Sequence, residues 1–207
     1  MVRTFRLAQG LNQSADHRVL GTIAMDGIAV AIWTRALADD LRDWIEELPE
    51  ECLPQLNTLV TVDNVDAVVH AACDLSGTPA SSLRDALCRD VAALAEAFST
   101  IVEQPLLRVR LDVVRPGQNM KFHMAPGRAR LLCSYRGPET EFGAAEVNGI
   151  PKQSHTIPVG MPSVFRGLLW DGIELSRVVH RSPLQQPLGV GLLLTIDAVG
   201  SGRRFSS

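Results

Sequence analysis

The chain has 207 residues, of which 46% are hydrophobic and 21% charged, with a formal net charge of −3 and a pI near 5.9. This composition is ordinary for a globular protein and excludes a largely disordered, collagen-like or coiled-coil chain. The acidic balance argues against a broad nucleic-acid interface. No apolar run approaches the roughly 20 residues that span a bilayer, and no signal peptide is recognisable. We therefore expect a cytoplasmic protein without nucleic-acid or membrane partners.

The cysteines are few and irregularly spaced. Cys52, Cys73, Cys88 and Cys133 form neither a CxxC pair nor a zinc-ribbon spacing. Because no export signal precedes them, we expect four free thiols, most of which pack as small buried hydrophobic side chains.

Helical periodicity dominates the first half of the chain. After a polar lead-in, an apolar run predicts a short strand at 27–33. Apolar residues then recur at offsets of three and four over 37–48, which predicts an amphipathic helix ended by a proline. Asn64 is a candidate N-cap for a second helix, and Ser81 or Ser82 for a third, longer one.

After residue 105 the pattern becomes rich in β-branched and alternating segments, with Gly and Pro between them. The predicted strands are 106–114, 129–135, 163–166, 175–180 and 190–199. Several short strands between turn signals are typical of a sandwich, a barrel or a jelly roll. We therefore predict an α+β fold in one compact unit, in which a mainly helical region, 1–104, packs on a jelly-roll-like β region, 105–207.

Two histidines are the strongest candidates for chemistry. The sequence has no GxGxxG, P-loop, GxSxG or HExxH motif, so those classes of site lack support. His123 precedes one predicted strand and His180 ends another. In a jelly roll, side chains from an early and a late strand meet at one mouth of the barrel. Two imidazoles there would supply half of a 2-His-1-carboxylate iron site.

Three segments resemble an uncharacterised bacterial family, catalogued as domain of unknown function 1826. They are AVAIWTR at 29–35, KFHMAPGRARLLCSYRGPETEF at 121–142, and HRSP at 180–183 followed by LLLTID at 192–197. The resemblance covers roughly residues 27–199. It implies a likeness to the double-stranded β-helix, or cupin-like, metal-dependent oxygenases, whose iron is held by an H-x-D motif and a distal histidine. It also implies a metal-related role that is linked to zinc homeostasis.

The chain departs from the family pattern where the metal ligands are expected. Ala125 stands where the resemblance implies an aspartate, and the family's GPGT reads GPET at 137–140. Three interpretations of Ala125 remain open: the metal site is lost, Glu139 or Glu141 supplies the third ligand, or the position stays open for water or a halide, as in iron halogenases.

A second departure concerns the cosubstrate. A 2-oxoglutarate-dependent oxygenase needs a basic residue about ten positions after the distal histidine to hold a carboxylate, and positions 189–191 read Gly-Val-Gly. This absence argues against 2-oxoglutarate. The candidates to bind substrate or cosubstrate from other positions are Arg130, Arg136, Arg166 and Arg181.

Two functions follow from these residues. The first is a metal-dependent oxygenase of the Fe(II)/2-oxoglutarate type, with iron on His123 and His180 and a substrate at the barrel mouth. The second is a non-catalytic protein that binds a metal ion, iron or zinc, or a small molecule, with a link to zinc homeostasis. The family-wide pattern favours the first, whereas the missing aspartate and missing basic residue favour the second for this chain.

Overall fold

A computed structural model describes residues 6–115, 121–171, 173–182 and 189–199. Pro183 of the HRSP segment lies outside these ranges. The helices are α1 (Asp39–Glu47), α2 (Val65–Leu75) and α3 (Ser82–Val102), with short 3-10 helices at His17–Ala24, Glu50–Cys52 and Val62–Asn64. The strands are β1 (Arg6–Ala8), β2 (Gly10–Ser14), β3 (Ile28–Trp33), β4 (Leu56–Thr61), β5 (Leu106–Val114), β6 (Ala129–Arg136), β7 (Thr140–Ala144), β8 (His155–Ile157), β9 (Ser163–Arg166), β10 (Glu174–Ser176), β11 (Val178–Arg181) and β12 (Gly191–Ala198). Within the described ranges, no helix is long and apolar enough to cross a membrane.

The main layers of the molecule are a large sheet, a small sheet and a layer of helices. The large sheet has seven strands in the order β2-β3-β9-β6-β12-β5-β4, and the small sheet has three in the order β11-β7-β8. One apolar cluster joins the facing sides of the two sheets, and a larger one joins the other side of the large sheet to the three helices. The large sheet is therefore covered on both faces, with the helices on one side and the small sheet on the other.

Alternation along the strands assigns each residue of the large sheet to one of these two faces. In β12, Leu192, Leu194 and Ile196 belong to the helix-side core. Leu193 belongs to the cluster between the sheets, and Thr195 is buried on the same side. The polar residues of β12 thus point toward the small sheet.

The three helices predicted from periodicity are confirmed. Ser81 caps α3, since its Oγ accepts a hydrogen bond from the backbone N–H of Arg84 at 3.1 Å. The helix ends at Glu103, whose backbone is left-handed at φ 53°. Asn64 precedes α2 as predicted but does not cap it, because its side-chain amide donates to Thr61 Oγ1 at 2.8 Å instead.

The first part of the chain also supplies strands that periodicity did not predict. The polar β2 lies at one edge of the large sheet, parallel to β3, and β4 forms the other edge, against β5. Edge strands have one unpaired side and expose alternate side chains, so their sequences carry little apolar signal. Strands from both predicted regions therefore share one sheet.

A polar network lies at the junction of α3 with the large sheet. Asp90 of α3 accepts two hydrogen bonds from the Arg35 guanidinium, at 2.6 and 2.7 Å, and one from the Tyr135 hydroxyl at 2.5 Å. Arg35 also donates to the carbonyl of Gly160 at 2.9 Å. Tyr135 is fully buried, and burial is the main cause that raises its pKa well above 10. The network connects β6, α3 and the segment after β3.

All four cysteines are free thiols in the structure. Cys73 of α2 and Cys88 of α3 face each other with their sulfurs 3.9 Å apart. The hydrogen bond from Cys88 lowers the pKa of Cys73 to about 7.

We expect a thiol titration under denaturing, non-reducing conditions to count four reactive groups. A count of two would contradict this prediction, and it would point to the close pair Cys73 and Cys88 as the oxidised one. The same titration on Cys73→Ser would serve as its control, with an expected count of three.

Candidate functional site

His123 and His180 lie side by side. They form an isolated antiparallel bridge, in which each backbone N–H donates to the other's carbonyl, at 3.1 and 2.9 Å. His180 belongs to β11, the strand at one edge of the small sheet, so His123 pairs along that edge. The centroids of the two rings are 4.4 Å apart. The prediction that the histidines of an early and a late segment meet is therefore fulfilled.

The two rings line a cavity of about 680 Å³, which we name the histidine cavity. Its lining combines apolar side chains with charged ones from β5, β6 and β11. The lining residues are Arg110, Asp112, Lys121, His123, Met124, Pro126, Arg130, Leu132, Thr140, His180, Arg181, Ser182, Leu193 and Thr195. The cavity thus opens between the polar face of the large sheet and the histidine edge of the small sheet.

The Arg130 guanidinium lies between the two imidazoles. Its Nη1 is 3.3 Å from His123 Nε2 and 3.5 Å from His180 Nε2. Asp197 holds the other side of the guanidinium through bonds of 2.7 Å to Nε and 3.0 Å to Nη2. Because a guanidinium has donors and no acceptor, these contacts are hydrogen bonds when each Nε2 atom presents a lone pair to it. In that arrangement the protons of the two rings are on Nδ1.

The hydrogen bonds of the Nδ1 atoms differ between the rings. His123 Nδ1–H donates to the carbonyl of Lys121 at 2.9 Å. His180 Nδ1 is buried and has no hydrogen-bond partner among the described residues. The His180 ring packs on Phe165, with centroids 4.9 Å apart. Burial is the main cause that lowers the pKa of His180 well below 6.5, and the neighbouring His123 and Arg130 act in the same direction, so the His180 imidazole is neutral at pH 7.

The two acidic candidates for a third metal ligand, Glu139 and Glu141, do not lie beside the two histidines in the way a shared metal site would need. Glu141 is the cross-strand partner of Arg181, and its carboxylate accepts from that guanidinium at 2.8 and 2.9 Å. Strand alternation puts this pair on the face of the small sheet opposite to His180. Glu139 is half-buried in the turn before β7. In the described part of the chain, no three His, Cys, Asp or Glu side chains are grouped to hold a metal ion.

Ala125 faces the interior. It is 1% exposed and belongs to the apolar cluster between the two sheets. The position where the family resemblance implies an aspartate therefore holds a methyl group in a closed, apolar environment.

Two of the four candidate arginines line the cavity. Arg130 lies at its centre, and Arg181 lies at its edge, over the ring of Phe122 at 4.1 Å. Arg136 instead donates to the carbonyls of Ile45 and Leu48 at the end of α1.

Arg166 also has a structural environment. Its side chain is 2% exposed and bonds to Glu174 at 2.6 Å and to the carbonyl of Ile23 at 3.0 Å. These bonds fasten the N-terminal 3-10 helix to β9, so neither Arg136 nor Arg166 reaches the histidine cavity.

Sequence reasoning missed the charged residues near Arg130. Arg110 and Asp112 of β5 line the cavity together with Thr195, and Asp197 of β12 forms ion pairs with both Arg110 and Arg130. The signal was present in the alternation of β5, where the segment LRVRLDVV places polar residues at every second position. It was not specific, because a polar face on a strand more often faces solvent.

A known family shares the sequence pattern around this cavity. Residues 14–197 match the family described as "Protein of unknown function (DUF1826)". The chain belongs to this family. The predicted resemblance is thus confirmed. A search of curated proteins found no match to this chain.

Solved structures share the fold of this DUF1826 chain at low sequence identity. The dioxygenase for auxin oxidation 1 from Arabidopsis thaliana, in a binary complex with 2-oxoglutarate, has a TM-score of 0.54 and 10% identity, covering 91% of this chain and 91% of that one. The dioxygenase for auxin oxidation in rice has a TM-score of 0.50 and 12% identity, covering 91% and 82%. The likeness is therefore to a dioxygenase fold.

The iron ion implied by that fold is not matched by the residues of this DUF1826 chain. A 2-His-1-carboxylate site uses two imidazoles and one anionic ligand. In this chain Ala125 stands where the family resemblance implies the anionic ligand, and the Nε2 atoms of both imidazoles lie against the cationic Arg130. Two imidazoles beside a fixed positive charge are a poor site for a divalent cation.

Proposed function

We propose that this chain binds a small organic molecule in the histidine cavity without a metal ion, on a fold that it shares with dioxygenases. The observation that carries this proposal is the Arg130 guanidinium between His123 Nε2 and His180 Nε2, at 3.3 and 3.5 Å. Asp197 fixes that guanidinium in place. The positive charge between the two imidazoles is then that of the Arg130 side chain and not that of a metal ion.

The cavity itself supports a binding function. Its volume of about 680 Å³ falls within the roughly 300–1,000 Å³ that is usual for small-molecule sites. The lining mixes apolar surface, from Leu132, Leu193 and Met124, with a few converging polar groups. His180 supports the same conclusion, because a buried ring nitrogen without a partner costs about 1–3 kcal/mol of folding free energy. Packing alone gives no reason for a histidine at that position.

We also propose that the two sheets form a jelly roll of the double-stranded β-helix type with the helices on its outer face. The seven-stranded and three-stranded sheets enclose a common apolar cluster, which supports this arrangement. The histidine cavity would then lie at the mouth of that jelly roll.

A metal-dependent oxygenase is the second candidate. The observation in its favour is the convergence of the two Nε2 atoms on one point. For this candidate, Arg130 would have to leave that point, and an anionic ligand would have to come from outside the histidine pair. The predicted link to zinc homeostasis stays a prediction, which zinc binding also tests.

Metal titration separates the two candidates. We expect anaerobic calorimetric titrations with Fe(II) and with Zn(II) to give the same heats for the parent chain and for His123→Ala/His180→Ala. The reason is that neither Nε2 lone pair is free while Arg130 occupies the point of convergence. Metal binding that disappears in the double variant would favour the oxygenase candidate and contradict our proposal.

A thermal-shift screen in the presence of EDTA tests ligand binding directly. A ligand supplied at about 100 times its Kd should stabilise the fold by about 2.7 kcal/mol. We expect such a stabilisation from at least one class of small organic molecule, and its loss in His123→Ala. Stabilisation that appears only after Fe(II) is added would argue against a metal-independent site.

A further inference from the structure

The charged residues on the floor of the histidine cavity are not equally satisfied. Arg130 makes two close bonds to Asp197, and Arg181 makes two to Glu141. Arg110, on the same floor, makes no comparable pair. Its Nη1 is 3.9 Å from Asp112 and its Nη2 is 3.6 Å from Asp197. Both are ion pairs, but both distances are longer than any contact that Arg130 makes with Asp197 or with the two histidines.

The remaining donor of Arg110 is also unused. Its Nε is buried and has no hydrogen-bond partner among the described residues. A guanidinium carries five N–H donors in a planar fork, and leaving them unpaired at a partly buried site costs free energy. The Arg110 side chain is 27% exposed and lines the cavity, so the cavity reaches part of this side chain although the Nε itself is buried.

Neighbouring groups extend this site. Thr195 is the cross-strand partner of Arg110 and its hydroxyl lines the same cavity. Leu132 and Leu193 also line the cavity; Leu132 is the cross-strand partner of Thr195, and Leu193 is that of Asp112, a further charged lining residue. The floor thus places Arg110 and Thr195 beside the apolar Leu132, with Asp112 and Leu193 two positions away along their strands.

We infer that Arg110 is the residue that recognises the ligand, and that the ligand carries an anionic oxygen group, a carboxylate or a phosphate, on a small apolar body. This inference rests on the proposed function and adds the chemical class of the ligand. Carboxylate and phosphate oxygens match the guanidinium fork in a bidentate manner, which is the strong form of this interaction. The apolar body lies against Leu132, the cross-strand partner of Thr195.

The test uses benzoate, phenyl phosphate and benzamide as probes of the full chain, in EDTA, by calorimetry. We expect benzoate or phenyl phosphate to bind and the uncharged benzamide to bind at least about tenfold more weakly. The tighter of the two anions then tells whether the group is a carboxylate or a phosphate.

Substitutions locate the recognition. Arg110→Gln should raise the Kd of the bound anion at least about tenfold, and Arg110→Lys should raise it less, because a lysine keeps the charge but loses the fork. Arg108→Gln is the matched control. Arg108 lies two residues away on the same strand but is exposed and bonds to Asn57 of β4, at 3.2 Å. Its substitution should leave the Kd unchanged.

A spectroscopic readout on the parent chain covers the case in which Arg110→Gln fails to fold. The ¹⁵N–¹H signal of the Arg110 Nε should shift as the anion is added, while that of Arg108 should stay in place. An unshifted Arg110 signal would overturn the inference.

The remaining outcomes are equally decisive. Equal binding of benzamide, equal affinity of Arg110→Gln, or no anion binding at millimolar concentration would each overturn the role of Arg110 and leave metal-independent ligand binding standing. Anion binding that requires added Fe(II) would overturn both the inference and the proposed function.

Discussion

The double variant Ala125→Asp/Arg130→Met should bind Zn(II) or Fe(II) at least about a hundredfold more tightly than the parent chain, a gain of about 2.8 kcal/mol. It introduces a carboxylate two residues after His123, where the family resemblance implies one, and removes the guanidinium that lies against both Nε2 atoms. The site would then hold two imidazoles and one carboxylate. Anaerobic calorimetric titration measures the gain.

The single variants separate the two causes. With Arg130 present, both Nε2 atoms still lie against a cation, so we expect little gain in metal affinity from Ala125→Asp alone. Position 125 is 1% exposed, and overpacking there should cost about 1–3 kcal/mol of stability, so a thermal melt must accompany each titration. Adding His180→Ala to the double variant should abolish the gain. Tight metal binding by Ala125→Asp alone would show that Arg130 does not block the two imidazoles.

Asp90→Ala should lower the free energy of unfolding by about 3–5 kcal/mol. The change removes the acceptor of three hydrogen bonds and leaves the charge of Arg35 and the hydroxyl of Tyr135 unpaired. Tyr135 is fully buried and the Arg35 side chain is 14% exposed, so water does not readily replace the lost partner. Urea unfolding followed by circular dichroism measures the loss.

Two control variants should lose less stability than Asp90→Ala. Tyr135→Phe removes one of the three bonds and leaves the ion pair intact, so its cost should be about 1 kcal/mol. Glu96→Ala removes an exposed acid from the same helix and should change stability by less than about 0.5 kcal/mol. Equal effects of Asp90→Ala and Glu96→Ala would show that the network contributes nothing.

Local patterns in the sequence predicted the helices well and the sheet only in part. The helix α3 has seven buried side chains at helical spacing, a capping serine and a following proline, so each local signal agrees with the fold. Strands β2 and β4 were missed because they lie at the edges of the large sheet and are mostly exposed. Their positions depend on pairing with β3 and β5, which spacing along the chain does not encode.

The candidate site shows the same division. The approach of His123 and His180 was predicted from the expected jelly roll, and their rings do lie together. That Arg130 takes the point between them could not be predicted, because it depends on which face of β6 turns toward the small sheet and on Asp197 from β12. Arg110 was missed for the same reason. Polar alternation indicates that one face is not core, but not whether that face meets solvent or a cavity.

The alternation along β5, β6 and β12 has an evolutionary consequence. Alternate residues of these strands belong to the helix-side core, and six of the residues between them line the cavity: Arg110, Asp112, Arg130, Leu132, Leu193 and Thr195. The lining of the cavity and the packing of the helices are therefore encoded by interleaved positions of the same segments. Changes at the floor positions can alter what the cavity accepts while the helix-side core stays constant. Such a chain can acquire new ligands through substitutions that leave its architecture almost untouched.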